Sequence, residues 1–127
     1  MVYLAAALLV GLGLAARGLG YVPAWWTALS PVYFHLFMVG WVAQLIFGVV
    51  YWMFPKYSQA HPHGSERAWL AVYWCLNAGL LLRAVAEPML TLWPVVGWRW
   101  GVAVSALLQW TAGLLFVVNT WSRVKER

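Results

Sequence analysis

The sequence predicts an all-α integral membrane protein, a four-helix transmembrane bundle. Three observations carry this. Of 127 residues, 65% are hydrophobic and 9% charged, more apolar surface than a small domain can bury. Tryptophan fills 11 positions, and its ring with a wet N–H suits the membrane–water interface. Four apolar segments, divided by breaker-rich connectors, each approach the roughly 20 residues that cross about 30 Å of hydrocarbon.

The first segment, 2–20, is rich in Leu, Ala and Gly. It lacks a basic start and is long for a signal-peptide core, so it reads as a retained helix that also serves as a signal anchor. The second, 31–55, is bounded by Pro31 and Pro55. The third, 67–87, is expected to end at Pro88, because proline removes a helix donor. The fourth spans 100–121. The connectors YVPAWW (21–26), PKYSQAHPHGSER (55–67) and PMLTLWPVVGWRW (88–100) hold the prolines. With no repeat or low-complexity tract, residues 1–127 read as one transmembrane domain.

Lys and Arg set the expected orientation. The 55–67 loop and the C-terminal tail share one side and carry Lys56, Arg67, Arg123, Lys125 and Arg127, against Arg17, Arg99 and the nearby Arg83 opposite. That loop and both termini are therefore expected to be cytoplasmic. Trp25, Trp26, Trp93, Trp98 and Trp100 would line the outer interface, and Trp52, Trp69 and Trp121 the inner one.

Several function classes fall away. The net charge of +5 comes from basic residues scattered at segment ends, so a nucleic-acid partner is excluded. Cys75 is the sole cysteine and forms no intramolecular disulfide. A small multidrug-type transporter would need an acid in its first helix, and 2–20 has none. His61 and His63 form an HPH in a loop with no acid or sulfur close enough to complete a metal site.

Polar groups within apolar segments are costly and usually partnered. Gln44, Asn77 and Gln109 lie near the centres of their segments, where amides can hydrogen-bond between helices. His35, Arg83 and Glu87 share an outer layer. His35 lies about 6 Å below Pro31, Arg83 about 7.5 Å before Pro88, and Glu87 one turn beyond Arg83. Imidazole in a low-dielectric setting favours its neutral form, which keeps a lone pair for a metal. Leu36, Phe37, Met38 and Val39 could wall a flat macrocycle. Gly40 and Gly48 leave one helix face open to something bulky. Arg83 could fork onto haem propionates. The same residues also read as a packed histidine beside a structural Arg83–Glu87 pair.

The segment HLFMVGWVAQLIFGVVYWMFPKYS, residues 35–58, resembles the second transmembrane helix of subunit I in haem–copper oxidases and their nitric oxide reductase relatives. It also resembles small subunit-I-like membrane proteins and the NnrS family of nitric-oxide-response haemoproteins. The shared features are His35, Gly40, Phe47-Gly48, and Tyr51, Trp52, Pro55 and Lys56. WCLNAGLLLR, residues 74–83, resembles the next helix of the subunit-I-like group. The resemblance covers a third to a half of the chain.

It implies that His35 is the axial ligand of a b-type haem near the outer face of a bacterial or archaeal cytoplasmic membrane. No second histidine lies in an apolar segment, so an oxygen-reducing copper–haem centre cannot be built from one such chain. The sixth iron position would be open, or taken by water, Met38, Met89 or Tyr33. An open position implies binding of a diatomic gas, NO or O₂, for detoxification or sensing, with nitric oxide dioxygenation as the enzymatic version. The family's twelve helices form three arcs of four, so a homotrimer of this chain is implied. The alternative is a cofactor-free accessory subunit of a respiratory membrane complex.

Overall fold

The structure, a computed structural model, describes residues 1–54 and 63–125. Among the described residues it is all-helical, with no strand. α1 covers Val2–Gly18. α2 covers Ala24–Met53 and is composite: a 3-10 stretch Ala24–Leu29, an α-helical stretch Ser30–Phe34, a π-helical stretch His35–Ala43 and an α-helical stretch Gln44–Met53. α3 covers Glu66–Leu92 and α4 Val96–Lys125. Three of these helices, Ala24–Met53, Glu66–Leu92 and Val96–Trp121, are long and apolar enough to cross a membrane.

Local chemistry sets the ends. After Gly18 the chain closes α1 with two reversed bonds, Gly20 N–H to the Arg17 carbonyl (2.9 Å) and Tyr21 N–H to the Ala16 carbonyl (3.3 Å). Gly20 stands at φ 85°, the left-handed conformation that glycine adopts without strain. Pro31 sits in the first turn of its α-helical stretch, where its missing N–H costs nothing. Ser65 caps α3, its Oγ accepting from Ala68 N–H at 3.3 Å.

The helix through Pro88 departs from the sequence expectation. α3 continues to Leu92 with Pro88 inside it. The ring removes one backbone bond near the helix end, while later bonds still form: Trp93 N–H reaches the Met89 carbonyl at 2.8 Å.

α1 also differs from expectation. Its 17 residues extend about 25 Å, and it is shifted along α2. Met1 and Tyr3 lie beside Gly40, Trp41 and Gln44, while Gly11 meets Tyr33 and Gly13 meets Trp26. α1 therefore covers the first half of α2 as far as Leu45 and leaves the stretch beyond to other partners.

Two apolar clusters hold the helices together. Ala7, Val32, Leu36 and Leu80 join α1, α2 and α3. Val72, Leu76 and Ala112, with Phe47 and Phe116 against them, join the second half of α2 to α3 and α4. Phe47 and Phe116 stack with centroids 4.0 Å apart. α3 belongs to both clusters and is the central element. Elsewhere the surface is apolar: Leu9, Trp74, Leu81, Leu107 and Val118 are all exposed. Apolar exposure on this scale suits lipid, not water.

Candidate functional site

His35 stands at the start of the π-helical stretch. π turns are rare and recur at functional sites. The His35 Nδ1 lies 2.8 Å from the Pro31 carbonyl, one turn back, and 3.6 Å from Glu87 Oε2. Both neighbours of Nδ1 are acceptors, so the Nδ1 proton is the one the surroundings favour. That leaves Nε2 with its lone pair, and Nε2 has no hydrogen-bond partner among the described residues. The ring flanks a shallow depression of about 150 Å³ lined by Phe34, His35, Met38 and Val39. Phe34 and Met38 are 60% and 53% exposed, so the depression opens outward from the bundle.

Glu87 of α3 lies beside this histidine. Its Oε1 accepts from Arg83 Nε at 2.8 Å. Its Oε2 is buried without a hydrogen bond, and His35 at 3.6 Å is beyond hydrogen-bond reach. The outer layer read from depth, His35 with Arg83 and Glu87, is therefore brought together in space. Arg83 spends only Nε on Glu87, and the rest of its guanidinium fork has no hydrogen-bond partner among the described residues.

The glycines behave differently from each other. A side chain at Gly40 would meet Leu80 at 2.8 Å and Tyr3 at 2.9 Å, so that face is filled by helix packing. A side chain at Gly48 would meet nothing within 4 Å. Tyr33, whose ring edge lies against Gly11 of α1, faces away from the His35 depression. Met38 rises beside His35 on the same surface.

The central polar layer is a cross-helix network in part. Asn77 Oδ1 accepts from the Tyr3 hydroxyl at 2.7 Å and from Gln44 Nε2 at 3.2 Å. Gln109 joins a separate pair instead: its Nε2 donates to Ser105 Oγ at 3.1 Å, and that hydroxyl donates to the Gly79 carbonyl at 2.8 Å. Tyr3 was invisible to sequence reasoning because tyrosine counts as apolar, which hides its hydroxyl.

A second group at the end of α2 was also missed. His63 stacks on Tyr51 at 4.0 Å and its Nδ1 meets the Tyr51 carbonyl at 3.0 Å. The Tyr51 hydroxyl donates to Glu66 at 3.2 Å. Arg123, 3% exposed, donates to the carbonyls of Tyr51 (3.3 Å) and Phe54 (2.8 Å), closing the negative end of α2 with a cation. Burial lowers its pKa from the usual guanidinium value, and the Tyr51 hydroxyl opposes that. His61 lies outside the described residues. Among the described residues no three His, Cys, Asp or Glu side chains gather as a metal cage. A porphyrin-held iron asks for only one or two protein ligands, and His35 supplies one.

These features define an all-helical protein with three helices able to cross a membrane and one oriented histidine on an outward face. Compared with known proteins, the chain matches no family model, no curated protein and no solved structure.

Proposed function

We propose that this chain is an integral membrane b-type haemoprotein in which His35 is the axial ligand. The single observation behind this reading is the hydrogen bond from Nδ1 to the Pro31 carbonyl at 2.8 Å, with the Glu87 carboxylate 3.6 Å away. Ligating histidines are characteristically held this way, with the second nitrogen's proton given to a carbonyl or carboxylate that fixes the tautomer and raises ligand basicity. Nε2 is left to the open side.

The donor chemistry fits the group, and its placement follows from size. The depression beside His35 is about 150 Å³, far below the 300–1,000 Å³ or so of ordinary cofactor pockets. A macrocycle on His35 therefore lies against the outer surface of α2, walled by Phe34 and Met38, and is closed by a second copy of the chain. Arg83 offers its remaining N–H groups to the propionates. Met38, which lines the same depression as His35, would pack against a macrocycle held there. Bound haem would supply a redox-active iron able to take a diatomic gas, NO or O₂, and the physiological role proposed is handling of that gas, with nitric oxide dioxygenation as its enzymatic form.

In this reading all four helices cross the membrane, the end carrying Arg123 is cytoplasmic, and the chain assembles as a homotrimer. The resemblance of residues 35–58 to the second helix of haem–copper oxidase subunit I supports the same ligand.

The test is an absorption spectrum of protein purified in mild detergent, oxidised and reduced, with and without CO, beside His35→Ala. A haem spectrum lost in His35→Ala, with a CO shift in the wild type, is the expected result. A wild type that stays colourless after haem is added overturns the reading. His35, Arg83 and Glu87 would then be a packing cluster in a cofactor-free membrane subunit.

A further inference from the structure

A second cavity, about 210 Å³, lies between the Gln44–Met53 stretch of α2 and the first half of α3. It shares no residue with the His35 depression. Its size is informative, since a cavity of about 150 Å³ holds a benzene ring. One substituted six-membered ring therefore fits.

The walls are aromatic. Phe47, Tyr51, Trp69 and Tyr73 all line it, and flat faces of this kind favour offset or edge-on ring contacts. Gly48 forms one side, and nothing stands within 4 Å of where its side chain would be. The cavity is open there. Both α2 and α3 are long and apolar enough to cross a membrane, so what enters past Gly48 comes from lipid.

The two ends are polar. At one, Gln44 uses a single N–H, given to Asn77. Its second N–H and its carbonyl oxygen have no partner among the described residues, although a side-chain amide can make four hydrogen bonds. Asn77 is held by Tyr3 and by its own bond to the Tyr73 carbonyl at 2.8 Å, so Gln44 is braced. At the other end the Tyr51 hydroxyl is set by Glu66. Gln44 and Tyr51 are seven residues apart, about 10 Å along the helix.

We infer that this cavity binds a lipid-soluble single-ring compound with oxygen substituents at opposite ends of the ring, of the quinone, quinol or para-substituted phenol class. The ring lies among the four aromatic side chains and one oxygen accepts from the free Gln44 N–H, while the Tyr51 hydroxyl, its proton given to Glu66, can accept from a quinol or phenol O–H at the other end. This assignment is independent of the haem reading.

Duroquinone is a suitable probe, because its ring is fully substituted and does not alkylate Cys75. Tryptophan fluorescence of the full chain in lipid nanodiscs is titrated with it. A saturable quenching component is expected above the linear partition background, with most of it lost in Trp69→Phe. Gly48→Leu fills the cavity and removes the saturable component, while Gly113→Leu, at another glycine with open space around it, keeps it. Gln44→Leu weakens it by about tenfold, the scale of one lost hydrogen bond in an apolar site. Durene, the same ring without oxygens, does not compete. Quenching that stays linear, that survives Gly48→Leu, or that durene abolishes equally well overturns the assignment. The durene arm uses only wild-type protein and holds even where a variant does not fold.

Discussion

Three ionisable side chains stand together between α2 and α3. His35, Glu87 and Arg83 meet in surroundings that are otherwise apolar, with Arg83 and Glu87 only 19% and 13% exposed. An ion pair so placed contributes little net stability, yet removing one partner leaves the other charge buried and unpaired. Glu87→Leu is therefore expected to cost about 3 kcal/mol. Arg83→Met with Glu87→Leu should recover most of that, since an apolar pair of similar volume carries no buried charge. Thermal denaturation in detergent measures both. The double variant also separates two roles for the cluster. If Arg83 receives propionates and Glu87 orients His35, the refolded double variant loses haem on dilution faster than wild type. If the cluster only packs α2 against α3, its haem content is unchanged. A stable double variant with wild-type haem retention would remove Arg83 from the cofactor site.

Beside the two apolar clusters, small residues let α3 and α4 approach each other closely. α3 and α4 approach closely at Gly79, where a side chain would lie 3.0 Å from the Ser105 carbonyl and 3.1 Å from Leu108. Gly101 meets Ala86 at 3.2 Å in the same seam. Close backbone approach of this kind is how helices associate without a water-driven hydrophobic force. Gly79→Ala should lower the unfolding midpoint, because the Ser105 carbonyl at 3.0 Å is backbone and cannot give way as the equally near Gln109 side chain could, and overpacking costs about 1–3 kcal/mol. Gly113→Ala has open space and should raise it by up to about 1 kcal/mol through helix propensity. Equal effects at the two positions would show that the seam is looser than described. The helices and their apolar character were legible in the sequence because length and hydropathy are local properties. The meeting of His35, Arg83 and Glu87 was legible from depth alone, since counting residues from Pro31 and Pro88 gives height along a helix. The π-helical stretch was not, because the run from His35 to Ala43 has no periodicity that tells one apolar winding from another. Nor was the shift of α1, which depends on Tyr3 finding Asn77 and on Gly40 admitting Tyr3, pairings far apart in the chain. Pro88 misled because a proline near a helix end removes one bond without stopping the turns beyond it.

At the scale of the whole molecule part of α2 is left uncovered. α1 covers only the first half of α2, and the face carrying Phe34, His35 and Met38 is turned away from the bundle. The depression there is too small for a macrocycle, so the haem reading requires something to close it. A second copy is the simplest closure, and cyclic assembly is the usual way a homo-oligomer satisfies such a face. Three copies of a four-helix chain give the twelve helices that the resemblance implies. Native mass spectrometry from detergent should therefore show a mass of three chains carrying haem. Met38→Trp places a bulky ring over the depression without touching the buried clusters, since Met38 is 53% exposed. It is expected to lower both the trimer fraction and the haem content together, while the single-chain form stays helical by circular dichroism. If haem and trimer fall together, the cofactor sits at the interface. If the trimer survives without haem, the assembly is held elsewhere and His35 faces lipid. A wild type that flies as a single chain with haem bound would mean that lipid alone closes the site, and the trimer would have to be given up.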